Sequence, residues 1–210
     1  MVCMKSYKTV KQPASDRFVE KKSEFIGHAA PIDSADAAMQ FVAEIKSRYR
    51  DATHNVWAYL LPDGITKRFS DDGEPSGTAG MPVLEVIEKA QVVGVCVVVT
   101  RYFGGILLGA GGLVRAYAHG CKIALDAAGV VTMQPCDVLQ MKLDYAFYDR
   151  LRILMAQYGA VEESSQFAQD VTVCCRLACE KTDAFCAAVC EHSGGKCLPK
   201  NDGTVFAAVD

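Results

Sequence analysis

Five glycines fall between residues 104 and 112 of this chain, at Gly104, Gly105, Gly109, Gly111 and Gly112. A run of apolar, mostly β-branched residues, Val92 to Val99, stands before them, separated by four residues. Directly after them the apolar residues recur at helical spacing from Leu113 to Ala128, and Gly129 is placed to end that helix. Glycine weakens strands and helices, so this density predicts a strand–loop–helix turn whose backbone needs positive φ or close approach to something. Arg101 and Arg115 flank the loop.

A glycine loop at the start of a helix can present N–H groups to an anion. Two standard nucleotide loops do not fit. The spacing Gly104 to Gly109 lacks the Lys-Ser/Thr of a P-loop. Gly109-Ala110-Gly111 is followed by Val114 where a dinucleotide fingerprint needs a third glycine. The loop is therefore either a contact for an anion or nucleic-acid backbone, or a tight packing element against the segment Asp71–Gly80. Arg101 and Arg115 are clamps for phosphate or carboxylate in the first case and internal ion-pair partners in the second. Tyr102 is a candidate base-stacking residue beside Phe103.

The second polar stretch is SDDGEPSGTAG, Ser70 to Gly80. Asp71, Asp72 and Glu74 form an acidic cluster, with Ser76 and Thr78 as further polar groups. Their spacing breaks the alternate-position pattern of a calcium loop. They suit acid–base chemistry, or turn capping and pairing with Arg68, Arg101 or Arg115. His54, at a strand start, completes this candidate polar cluster. No G-x-S-x-G nucleophile elbow occurs. No metal and no cofactor are expected.

Net charge is −3, which excludes a polycation that binds nucleic acid over its whole surface. Residues 1–135 carry 15 Lys and Arg against 14 Asp and Glu, and residues 136–210 carry 7 against 11. A basic patch would therefore be local and in the first half, drawn from Lys21, Lys22, Lys46, Arg48, Arg50, Lys67, Arg68, Arg101 and Arg115. The N-terminus has no apolar signal core, and no run approaches the roughly 20 apolar residues of a membrane span. A cytoplasmic protein is expected, without membrane association or a disulfide-linked partner. Its ten cysteines, none in a C-x-x-C pair, are expected as thiols.

The coarse pattern predicts short strands at Tyr7–Val10 and Arg17–Val19, a strand Lys21–Pro31, and a helix Ala35–Tyr49 capped by Ser34. A strand His54–Leu61 follows, then a helix opened by Pro82, then the glycine unit. Thr132–Asp137 reads as a linker, which divides the chain into domains 1–134 and 135–210. Beyond it the order strand Val138–Leu143, helix Tyr148–Tyr158, strands Val161–Phe167 and Val171–Leu177, helix Asp183–His192 capped by Thr182, and strand Thr204–Val209 is βαββαβ. That is the ferredoxin-like order. The fold class is α+β.

Two long motifs carry a family resemblance: DDGEPSGTAG at Asp71–Gly80, and Arg101–Gly105 with Leu108–Tyr117. Lys22–Ile26 (KSEFI) and Asp51–Asn55 (DATHN) add to them. Over about residues 15–130 the chain resembles the IMPACT family, in its bacterial, YigZ-like branch. The resemblance implies an N-terminal domain like the second domain of a small-subunit ribosomal protein, a β/α sandwich. It implies a C-terminal domain similar to that of elongation factor G. It also implies a translation-linked regulatory role, with RNA, the ribosome or a translation factor as partner of the N-terminal domain. Eukaryotic relatives regulate an amino-acid-starvation kinase by competing for its ribosome-associated activator, and this chain is expected to lack their additional N-terminal interaction domain. The alternative is an enzyme that acts on a phosphate-containing small molecule at a site made by Asp71–Glu74 and Arg101–Arg115.

Overall fold

A computed structural model describes residues 6–208. The fold is α+β, with two sheets and five helices among the described residues. The chain divides into two compact units, one of Tyr7–Thr132 and one that contains the chain from Met133 onward. Among the described residues, no helix is long and apolar enough to cross a membrane.

The first unit contains β1 (Tyr7–Val10), β2 (Ala14–Glu20), β3 (Ser23–Pro31), α1 (Ala35–Arg48), β4 (His54–Leu60), β5 (Lys67–Ser70), α2 (Gly80–Lys89), β6 (Val95–Tyr102) and α3 (Ala110–Ala128). Its sheet runs β2-β3-β6-β4-β5, with each adjacent pair antiparallel. The central strand β6 is buried along seven of its eight residues. Helices cover both of its faces, which is why it reads as a continuous apolar run. By the two-residue alternation of a strand, Val95, Val97 and Val99 pack with α2 and α3, while Cys96 and Val98 pack with α1. Arg101 shares the parity of the first set.

Helix α1 begins where Ser34 accepts the Ala37 N–H at 3.2 Å, and it buries Ala38, Val42 and Ile45. Helix α3 lies against β3 at a glycine pair. A Cβ on Gly27 would stand 2.1 Å from the Gly120 carbonyl oxygen, and one on Gly120 would stand 2.9 Å from Val99 Cγ1. Two side-chain-free positions thus set the helix–sheet distance.

The second unit contains β7 (Val130–Leu143), which starts in the first, then α4 (Tyr145–Tyr158), β8 (Val161–Phe167), β9 (Val171–Ala178), α5 (Cys179–His192) and β10 (Lys200–Ala208). Its strands stand in the order β10-β7-β9-β8. The chain order βαββαβ and this spatial order describe two crossed βαβ units. Strand β9 alternates buried and half-buried residues. Its inward set, Val171, Val173, Cys175 and Leu177, meets Leu151, Leu154, Phe185 and Val189 of the two helices. Asp144 caps α4 through the Phe147 N–H at 2.9 Å, and Gly159 closes it at φ 74°.

Several boundaries differ from the sequence expectation. Residues Thr132–Asp137 are no linker but part of β7. Pro135 stands opposite Phe206 of β10, one residue before the pairing of β7 with β9 begins at Cys136. Helix α5 starts at Cys179 rather than Asp183, and Thr182 caps nothing; its hydroxyl donates to Asp137 Oδ2 at 2.8 Å in the interior. Helix α4 starts at Tyr145 and α2 at Gly80, with Pro82 as its third residue. Strand β6 starts at Val95 because Gly94 turns the chain at φ 63°. The polar edge strand β5 carries no alternating apolar signal. Val209 lies outside the described residues.

Candidate functional site

Arg101, the penultimate residue of β6, stands in register with Phe25 on β3 and His54 on β4. Its guanidinium Nη1 donates to Glu74 Oε1 at 2.5 Å. Tyr117, from α3, donates its hydroxyl to the same oxygen at 2.7 Å. Arg101 is 5 % exposed and Glu74 8 %, so both charges are buried. The arginine carbon Cζ also lies 5.5 Å from the centroid of the Phe25 ring and 5.4 Å from that of Phe103. Shared hydrogen bonding and two aromatic faces offset the desolvation of the pair. Burial, then the hydrogen bond and charge of Glu74, hold the Tyr117 phenol far above its ordinary range, so it stays protonated as a donor.

The other two carboxylates serve the backbone. Asp71 accepts the N–H of Gly77 at 3.0 Å, of Ala79 at 3.1 Å and of Gly80 at 2.8 Å. It thereby caps α2, whose own N-cap residue Ala79 has no capping side chain. Asp72, at φ 45°, accepts from Lys46 Nζ at 2.5 Å and from the Asn55 N–H at 2.7 Å. Its carbonyl oxygen meets His54 Nδ1 at 2.8 Å, which leaves Nε2 3.8 Å from Glu74. Thr78 closes the turn by donating to the Pro75 carbonyl at 2.6 Å, and Ser76 is exposed.

The glycines divide by role. Gly104 is pure packing, since a Cβ there would stand 2.0 Å from the Lys22 carbonyl group. The close partner is the β2–β3 turn, not the Asp71–Gly80 segment. Gly105 and Gly109 take φ of 82° and 73° with open space around them. Gly111 and Gly112 lie in the first turn of α3, which starts at Ala110 rather than Leu113, so they are helix and not loop. Gly109 is the N-cap residue and supplies no side chain to the α3 amides. Tyr102 donates its hydroxyl to Asp51 Oδ1 at 3.0 Å.

The two arginines do not converge. Arg101 lines a cavity of about 460 Å³ bounded by Gly73–Pro75 on one side and Leu107–Ala110 on the other. Arg115 is exposed and lines a second cavity of about 490 Å³ with Lys21, Glu20, Phe18 and His119. The two arginines that flank the loop thus line different cavities. Helical phase is the reason: Arg115 is two residues, roughly 200°, around α3 from the buried Leu113. Arg68 is exposed on the edge strand β5, opposite Tyr59 in register. Among the other candidate cations, Lys46 pairs with Asp72, Arg48 with Glu44 and Lys67 with Glu88. Lys21, Lys22 and Arg115 make no ion pair with any described residue.

Sequence reasoning did not single out Tyr117, Phe25 or the Lys46–Asp72 pair. Tyr117 had a usable signal: it continues the stripe Leu113, Tyr117, Cys121, and a buried tyrosine hydroxyl requires a partner. Among the described residues, no group of three or more His, Cys, Asp or Glu is placed to hold a metal ion.

Comparison with known proteins agrees with this architecture. The family described as Impact N-terminal domain matches residues 21–125, and a domain of unknown function, DUF1949, matches residues 141–196. IMPACT family member YvyE of Bacillus subtilis is 35% identical over 192 residues, 91% of this chain and 88% of its own length. YigZ of Escherichia coli is 35% identical over 178 residues, 83% of this chain and 87% of its own. Protein IMPACT of Rattus norvegicus is 35% identical over 94 residues, 43% of this chain and 30% of its own. A solved structure of a hypothetical protein superposes at a TM-score of 0.60 with 32% identity, over 95% of this chain and 98% of that one. With both units matched and the two bacterial relatives aligned along most of its length, the chain belongs to the IMPACT family.

Proposed function

We propose that this protein is a cytoplasmic, translation-linked regulator whose N-terminal domain, residues 1–134, binds RNA of the translation apparatus through the turn Lys21–Lys22 and Arg115. One observation carries this reading. The acidic groups of the conspicuous motifs are consumed internally, while Lys21 and Arg115 line one cavity without an ion pair, against the single carboxylate of Glu20, and Lys22 follows Lys21 in the same exposed turn. Lys21 and Lys22 also hold φ of 45° and 66°, a two-residue hairpin turn that favours Asn-Gly. Lysines there are strained, and strain retained at an exposed turn accords with a binding role. Phosphate contacts of this kind carry little sequence information, so structured RNA recognised by shape suits the site.

The test is binding of the full chain to structured ribosomal RNA fragments, followed by fluorescence anisotropy across a salt series. Affinity should fall steeply with salt, and removal of all three cations should lower the log–log slope by about 2 to 3. Binding that is absent, or that does not respond to salt, overturns the proposal.

A further inference from the structure

The cavity beside Arg101 differs in chemistry from the basic one. Its walls are mainly apolar, from Phe103, Leu107, Leu108 and Leu113. Its polar end holds Thr53, His54, Arg101 with its partner Glu74, and the start of α3 at Gly109 and Ala110. Two independent features there want an acceptor. Helix α3 is 19 residues long and its N-cap offers no side chain to the first-turn amides. Arg101, although 95 % buried by its 5 % exposure, has an Nε–H with no hydrogen-bond acceptor among the described residues. A buried unsatisfied donor is costly, and Arg101 and the first residues of α3 line the same cavity.

We propose that this cavity binds a small monoanion with an apolar body, a carboxylate whose head meets the α3 N-terminus and the Arg101 end. Charge selects the class. The formal charges of Arg101 and Glu74 cancel, and the helix end supplies roughly half a positive charge. That field suits one negative charge and leaves the several charges of a polyphosphate uncompensated. Volume selects the size, since about 460 Å³ is the scale of a small-ligand pocket. The apolar wall selects the body: Leu107 is 82 % exposed and Phe103 45 %, and a ligand seated there would cover both. The site shares only Leu108 with the lining of the basic cavity and none of Lys21, Lys22 and Arg115, so it is tested independently of RNA binding.

The probe is 3-phenylpropionate, with its neutral amide as control and ATP as polyphosphate control, followed by ¹⁵N NMR on the full chain. The acid should shift the Gly109–Gly112 amides and the Arg101 Nε–H, with a dissociation constant at least about tenfold below that of the amide and of ATP. Ala110→Asp places a carboxylate at the exposed first position of α3, where it suits the helix end and the fold, and it should abolish the shifts. Leu107→Glu should weaken binding with the fold intact. Equal shifts from acid and amide, shifts located elsewhere, preference for ATP, or no shift at about 10 mM overturns the proposal.

Discussion

Arg101 and Glu74 form a buried ion pair at 2.5 Å, 27 residues apart, and Tyr117 completes it by hydrogen bonding to the same carboxylate oxygen. The pair joins the end of the central strand to the turn before α2 and to the middle of α3. Removing one partner leaves the other charge buried and uncompensated. Glu74→Gln or Arg101→Met should cost about 3 to 5 kcal/mol in urea unfolding. Tyr117→Phe should cost about 1 to 2 kcal/mol, the loss of one hydrogen bond to a charged group. A cost below 1 kcal/mol for Glu74→Gln, on the scale of an exposed pair at about 0 to 1 kcal/mol, would remove the pair from this role.

Gly27 and Gly120 should tolerate no side chain. Gly27→Ala sets a methyl 2.1 Å from a backbone oxygen that cannot swing aside. A loss of about 3 kcal/mol or more is expected in thermal or urea unfolding. Gly111→Ala, with open space at its Cβ position, is the control and should be neutral to slightly stabilising.

The Lys21–Lys22 turn separates stability from binding. Lys21→Asn with Lys22→Gly relieves two positive-φ lysines and should stabilise the fold by about 1 kcal/mol. The same change removes two cations and should weaken RNA binding. A urea midpoint that rises while affinity falls checks both halves at once. A fall in both would assign the lysines to packing.

His28 predicts acid sensitivity. It is buried, and burial followed by the charge of Arg48 lowers its pKa from 6.5 to about 4. The unfolded chain therefore binds the proton between those values while the folded protein refuses it. Stability is full above the unfolded value and is lost as pH falls from 6.5 towards 4, at up to about 1.4 kcal/mol per pH unit. Urea midpoints at pH 7, 6 and 5 measure the slope, and His28→Leu should flatten it.

Asp71→Ala should release three backbone N–H groups and the start of α2. About 1 to 3 kcal/mol of stability is expected to go with it. Faster amide exchange confined to Gly77–Gly80 and the first turn of α2 would mark the loss as a capping effect.

Local chemistry was enough for much of this protein. The β-branched run of β6, the 3.6-residue stripes of α1 and α3, and the βαββαβ order of the C-terminal half follow from side-chain periodicity, and the two long motifs mark the family. What a turn or helix does to its immediate neighbours is written in adjacent residues. Which distant groups meet is not. Arg101 had three acidic residues within reach of argument, and strand parity together with the path of the Ser70–Gly80 turn brought it to Glu74. Lys46 met Asp72 from 26 residues away, and Gly104 met Lys22 from 82. Helical phase turned Arg115 outward into a different cavity. A polar side chain is satisfied by any partner of the right type, so composition leaves the choice degenerate. Packing of the sheet and helices removes that degeneracy, because only one set of partners lies within hydrogen-bond reach once the backbone is in place.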